Sequence, residues 1–375
     1  MNDKSSILIS TGEISGDRYG GEIVSRLRKK YPTLTVYALG GEHIARSSGK
    51  VIYYTDSIAT FGIWEALLSF PRWRRVWKKT TDLILREKPR VVVLIDNPGF
   101  NLKLAQFSYN QGIPVIYFIP PQVWAWKPQR AIKLSKWADR ILTVFSWEER
   151  YFSPEKVNWV GHPLVSLIPE VDFFPSLQEQ NNLGKEVVLL PGSRKGEVMA
   201  FISVLKKVIS SWEKRESKMH FNLISASPQI ESLLEREVGD LPVSILPHSE
   251  LYSALSRASL CVSCSGTVTL EVALMGVPQI IVYHLSLLTY FFARWLVKTD
   301  LVGLPNIVLE REICPELIQR DFSPYQVSQT MEKLLNDPCI RDKAWAWSKE
   351  IREKLSQGNT FEKVTQVIGQ YISER

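Results

Sequence analysis

The sequence predicts two α/β domains, each a doubly wound parallel sheet with helices on both faces, and three observations carry the prediction. Short, fully apolar, β-branched runs alternate with helical stretches along most of the chain, which is the patterning of strands buried on both faces. With 375 residues, 45% of them apolar and 23% charged, the chain has the size and balance for two globular cores. The alternation weakens only once, over residues 166–184, where prolines and glutamines replace it.

The elements follow in order. In residues 1–165 the runs at 7–10, 36–39, 91–95, 115–118 and 141–144 read as strands, and 20–30, 73–86 and 102–110 have helical spacing. Residues 166–184 form the linker. Strands resume at 187–190, 221–224, 243–246, 260–262 and 280–283 within a second domain spanning 185–345. The chain is helical and amphipathic from about residue 325, and residues 346–375 are expected to pack back across the domains. Residues 280–297 approach membrane-spanning length, but His284 and Arg294 interrupt them. A span needs roughly 20 mainly apolar residues, so this piece reads as a buried strand followed by an apolar helix from about Ser286.

The first apolar run begins at Ile7, leaving no room for a signal-peptide core, so a cytoplasmic protein is expected. The four cysteines agree with this. Cys261 and Cys264 form a C-x-x-C, but no second pair follows, and in one strand a spacing of three puts them on opposite faces. No metal and no cofactor are expected; there is no Asp-x-Asp anywhere to bridge a metal to a diphosphate.

The chemistry concentrates where apolar runs meet glycine turns. Ser265-Gly266-Thr267 follows one such run and opens a helix whose free N–H groups suit an anion such as a diphosphate. Glu271, one turn beyond Thr267, can accept hydrogen bonds from a ribose diol. Gly192-Ser193-Arg194 repeats the arrangement and adds a guanidinium. Near the N-terminus, Gly12-Glu13-Ile14-Ser15-Gly16-Asp17 follows a strand without matching a P-loop or a dinucleotide fingerprint. Its glycines allow close approach of a substrate, with Glu13 and Asp17 displayed beside it. Asp96 ends an apolar strand, and Pro98-Gly99 forces an immediate turn. Partial desolvation there raises a carboxylate toward the pKa of a useful general base.

A net charge of +7 favours an anionic partner. Residues 62–79 interleave Ile63, Trp64, Leu67, Leu68, Trp73 and Trp77 with Arg72, Arg74, Arg75, Lys78 and Lys79. Such a segment fits an anionic membrane surface, apolar side down and cations on phosphates; the plainer alternative is a core-facing helix with a solvated basic face. No nucleic-acid module surrounds it, so no nucleic-acid partner is expected.

Seven ordered motifs over nearly the whole chain resemble the lipid-A-disaccharide synthase family: 12–17, 95–101, Pro121-Gln122-Val123-Trp124-Ala125-Trp126, Val160-Gly161-His162-Pro163-Leu164, 190–194, 265–278, and 297–300 leading to Leu304-Pro305-Asn306. The resemblance implies a GT-B glycosyltransferase, two Rossmann-like domains around an interdomain cleft. Its substrates would be a UDP-activated diacylglucosamine and an acylated sugar phosphate, joined with inversion at the anomeric carbon at the cytosolic face of the inner membrane. By resemblance, Asp96 is the base and Glu13 a second essential carboxylate, while the sequence itself leaves open which of the two takes the proton. Arg194, Ser265 and Thr267 hold the diphosphate, Glu271 the ribose, and Asn306 lies near the donor; Gly12, Ser15, Gly16, Asp17, Gly192, Ser193 and Gly266 complete the substrate-binding set. A homodimer is left open. Two positions depart from the family pattern: Gly99 stands where a second Asp is common, and Pro120-Pro121 where many members have Ser-Pro. A UDP-sugar epimerase would share the fold and nucleotide site, but its water-soluble substrates would not need the Trp/Arg segment.

Overall fold

The structure is a computed structural model that describes residues 5–54, 70–124, 127–170, 185–215, 219–284 and 301–373. It divides into two compact units, Met1–Ser166 with Leu355–Arg375, and Leu167–Lys354.

In the first unit the order is β1 (Ser6–Ser10), α1 (Ile14–Lys30), β2 (Thr35–Gly40), α2 (Glu42–Arg46), β3 (Lys50–Tyr54), α3 (Phe70–Glu87), β4 (Val92–Ile95), α4 (Pro98–Asn110), β5 (Val115–Phe118), α5 (Gln129–Trp137), β6 (Arg140–Thr143), β7 (Val157–Trp159) and α6 (Pro163–Leu167). The strands form one sheet in the order β3-β2-β1-β4-β5-β6-β7, with every pairing parallel. Strands β1, β4 and β5 are buried along their whole length, which is why β4 and β5 are wholly apolar and only the terminal serines interrupt β1.

In the second unit the order is β8 (Lys185–Leu190), α7 (Lys195–Arg215), β9 (Met219–Ser225), α8 (Pro228–Val238), β10 (Val243–Pro247), α9 (Leu251–Arg257), β11 (Leu260–Cys264), α10 (Thr267–Leu274), β12 (Gln279–Tyr283), α11 (Leu304–Leu309), β13 (Glu316–Ile318), α12 (Pro324–Leu335) and α13 (Ile340–Leu355). Its sheet, β10-β9-β8-β11-β12-β13, is again parallel throughout. The last helix, α14 (Thr360–Ser373), returns to the first unit. There Phe361 meets Tyr19 at 6.3 Å between ring centroids, and Arg90 donates to the Ile372 carbonyl at 3.1 Å.

Three strands lie outside the sequence reading: β3, β7 and β13. Each ends a sheet, and Lys50, Asn158 and Glu316 break their apolar patterns. The boundary expected at residue 345 falls inside α13, which belongs with the second unit as far as Lys354. Ser348 fixes that helix by donating to the Leu274 carbonyl at 2.8 Å, and Arg352 donates to the same carbonyl at 3.0 Å.

The Val160-Gly161-His162-Pro163-Leu164 motif is structural. Gly161 has φ +86°, and a Cβ there would lie 3.0 Å from both Leu355 O and Gln357 N. The His162 N–H donates to Leu355 O at 2.9 Å. Burial drives the imidazole pKa down to about 3, so it stays neutral, and its Nδ1 accepts the Leu164 N–H at 3.3 Å.

Candidate active site

Both sheets reverse their winding at one pair of neighbouring strands, β1/β4 in the first unit and β8/β11 in the second. Ligands of doubly wound folds bind outside the carboxyl ends of such a pair. Ser10 pairs with Leu94 and Ser263 with Leu190, so the turns leaving these strands start side by side.

In the first unit, the turn after β1 carries Gly12 and Glu13, and that after β4 carries Asp96 and Asn97. The two interlock: a Cβ on Gly12 would lie 2.3 Å from the Asn97 side chain, so only glycine admits it. Glu13 is the exposed N-cap residue of α1; Ser15 and Gly16 follow in the first helical turn, the glycine buried and the serine half-buried. Asp96 (φ +50°) and Asn97 (φ +48°) are consecutive non-glycine residues in the left-handed region, which costs of order 1–2 kcal/mol per residue. The Asp96 carboxyl is raised to about 6, mainly by burial and then by the Glu13 carboxylate, against the opposing effect of the Asn97 N–H. That places a carboxyl that titrates near neutral pH where the sheet opens.

In the second unit, Gly192 (φ +95°) turns the chain out of β8, and a Cβ there would press on the Glu197 carboxylate at 2.9 Å. Ser193 and Arg194 are exposed at the start of the 21-residue helix α7. Arg194 lies 3.1 Å from Glu197, a partly exposed pair that costs little to redirect onto an anion. Tyr283, at the end of β12, has its pKa raised by burial and by Glu197 and held back by Arg194, so these groups share one electrostatic neighbourhood. Ser265 leaves β11 with its N–H on Val282 O at 3.0 Å. Gly266 is the exposed N-cap residue of α10, and Thr267 is its first residue. Glu271, 8% exposed, accepts a hydrogen bond from the Tyr252 hydroxyl.

Four sequence expectations need correction or bounding. Asp17 is not displayed to a ligand: it is 2% exposed, and its carboxylate accepts the N–H groups of Gly41 (2.6 Å), His43 (2.9 Å) and Ile44 (3.3 Å), capping α2. Asn306 is fully buried, and its side chain bonds within the protein. Its amide donates to Cys314 O (2.8 Å) and Glu316 Oε1 (2.7 Å), and its carbonyl accepts from Ile313 N and Cys314 N at 2.9 Å. Trp73 and Trp77 are half-buried: they stack on each other at 5.6 Å and pack edge-on against Phe100 of the core, while Arg72, Arg74, Arg75 and Lys78 remain exposed. Ile63, Trp64, Leu67 and Leu68, together with Ala125, Trp126 and residues 285–300, lie outside the described residues.

Sequence reasoning missed Tyr252, Tyr117 and Glu148. Glu148 is 1% exposed; it accepts the Trp124 indole N–H and the N–H groups of Val144 and Phe145, each at 3.3 Å. Burial outweighs these bonds and lifts its carboxyl to about 7. A tryptophan signalled the motif at 121–126, but nothing nearby pointed to its partner 24 residues on.

Cys261, Cys264 and Cys314 are buried free thiols; burial raises all three, Cys314 to about 12, so they are inert thiols. Among the described residues, no group of three His, Cys, Asp or Glu side chains could hold a metal ion.

The chain is similar to the lipid-A-disaccharide synthase of Geobacter sulfurreducens, 31% identical over 388 residues and covering 100% of this chain and 99% of that one. In structure it is similar to the UDP-GlcNAc 2-epimerase of Neisseria meningitidis bound to UDP-GlcNAc (TM-score 0.66, 12% identity, 97% and 100% of the two chains). It is also similar to the glycotransferase of kitacinnamycin (TM-score 0.63, 12% identity, 98% and 99%). At such identities these two likenesses show the fold, that of GT-B enzymes. The family model described as Lipid-A-disaccharide synthetase matches residues 7–367, and the chain therefore belongs to the lipid-A-disaccharide synthase family of glycosyltransferases.

Proposed function

We propose that the protein transfers 2,3-diacylglucosamine from its UDP donor to 2,3-diacylglucosamine 1-phosphate. The product is the β-1,6-linked disaccharide 1-phosphate, and UDP is released. The acceptor's primary hydroxyl oxygen bonds to the donor's anomeric carbon as the bond from that carbon to the UDP oxygen breaks. The electron pair leaves with UDP and the hydroxyl proton passes to Asp96; attack opposite the leaving group inverts the anomeric centre.

The observation that carries this reading is the Asp96 carboxyl, desolvated to a pKa of about 6 beside Glu13 at the carboxyl edge of a doubly wound sheet. The second unit provides for the nucleotide. The starts of α7 and α10 with Arg194, Ser265 and Thr267 suit the diphosphate, and Glu271 the ribose. Arg72, Arg74, Arg75 and Lys78, exposed on α3, would draw the protein to anionic lipid on the cytosolic face of the inner membrane, where the acylated substrates reside. No helix among the described residues is long and apolar enough to cross a membrane.

Asp96→Ala tests the assignment. Transfer should fall by about three orders of magnitude or more, within the range for losing a general base together with its charge, while calorimetric UDP affinity stays unchanged. Retained turnover would remove Asp96 from the role of base. The epimerase reading has only the shared fold behind it.

A further inference from the structure

Asp96 is held by its backbone. Its N–H donates to Phe118 O at 3.0 Å, and its carbonyl accepts two bonds, from the Tyr117 hydroxyl at 2.7 Å and from Asn101 Nδ2 at 2.8 Å. Both donors are buried. Tyr117 is fully enclosed in β5, and burial keeps its hydroxyl protonated. Asn101, also fully enclosed, reaches Ile95 O (3.2 Å) and Ser10 O (3.3 Å) with the same amide, and its carbonyl accepts the Ser10 hydroxyl at 2.7 Å. One asparagine thus ties the end of β1 to the end of β4, while the tyrosine pins the same peptide from β5.

What these donors hold is a conformation that the chain would otherwise avoid. Neither Asp96 nor Asn97 is glycine, yet both have positive φ. Such strain persists only where its surroundings over-determine it, and it gathers at functional sites. Relaxation to extended backbone would swing the carboxylate away from Glu13 and into water.

Building on the assignment of Asp96 as base, we infer that Tyr117 and Asn101 are positioning residues that lock the Asp96 peptide in its left-handed turn and so aim the catalytic carboxylate. Among the described residues, the charged or titratable groups facing this assembly are Glu13 from the turn after β1, and Arg130 of α5, which faces the Tyr117 hydroxyl.

Tyr117→Phe removes one donor and keeps the ring. Misplacing a reacting group by an ångström can cost about a hundredfold, so kcat should fall by about 10- to 100-fold, with UDP affinity and donor KM unchanged. The acid limb of the kcat/KM profile should move below its wild-type position near pH 6, because a released carboxylate regains water. Ser10→Ala, a milder change that frees one side of Asn101 without touching Asp96, should produce a smaller shift in the same direction; it carries the test if the tyrosine variant fails to fold. Either folded variant retaining wild-type kcat, or losing kcat with its acid limb unmoved, would overturn the inference. An inactive Asp96→Ala beside an unaffected Tyr117→Phe defeats only this inference, whereas an active Asp96→Ala defeats the assignment on which it rests.

Discussion

Asp96 exists as a candidate base because an apolar strand delivers a carboxylate to the end of a buried sheet. Burial and Glu13 then make its charged form costly, and both push its pKa up to about 6. The base must be ionised to act, so kcat/KM should rise with pH through an apparent pKa near 6 and fall about tenfold per unit below it; a flat profile from pH 5 to 8 would contradict this. The same shift acts on stability with the opposite sense. Because the folded pKa lies above the ordinary carboxylate value, the protonated form favours folding at low pH, and this contribution is lost as pH rises through 6. Asp96→Asn should therefore melt higher than the wild type at pH 8, and the difference should shrink as pH falls below 6. The place of Asp96 at a strand end was legible because the apolar run before it and Pro98-Gly99 after it are its neighbours in sequence. Asp17 was misread for the converse reason. Its partners, Gly41, His43 and Ile44, lie 24 to 27 residues away at the start of α2. Residue type and position showed a polar group after a glycine turn, but not which way it faced.

At the level of elements, α2 shows what Asp17 does. A five-residue helix cannot hold itself in water, and here one buried carboxylate gathers three of its orphan N–H groups. Asp17→Ala should destabilise the protein by about 1–3 kcal/mol, from loss of the cap and stranding of buried donors, seen as a lower urea midpoint with unchanged UDP affinity. Weakened UDP binding at full stability would return Asp17 to the ligand site. The central strands could be read from composition because both faces are buried and their inner positions are mostly apolar. The edge strands β3, β7 and β13 could not, since their half-exposed positions tolerate Lys50, Asn158 and Glu316. Helix α3 was ambiguous in sequence because a tryptophan serves a core or a lipid surface equally well. In the structure Trp73 and Trp77 stack half-buried against Phe100, and the cations face outward.

For the whole molecule, the proposed attraction to anionic lipid is electrostatic, resting on the net charge of +7 and the exposed cations of α3. Sedimentation with vesicles containing anionic lipid should weaken between about 0.05 and 0.5 M salt, as the screening length shortens. Replacing Arg72, Arg74, Arg75 and Lys78 by Ser should reduce binding further; salt-independent binding would point to apolar insertion instead. The two-unit plan was legible because the same strand, glycine turn, helix logic occurs in both halves, and each sheet places those turns where its winding reverses. The most direct test of the account is UDP release by the purified protein in mixed micelles of UDP-2,3-diacylglucosamine, with and without 2,3-diacylglucosamine 1-phosphate. Release that depends on the acceptor and matches a β-linked disaccharide mole for mole is the expected result. Acceptor-independent release, or turnover of UDP-N-acetylglucosamine with no lipid present, would contradict it.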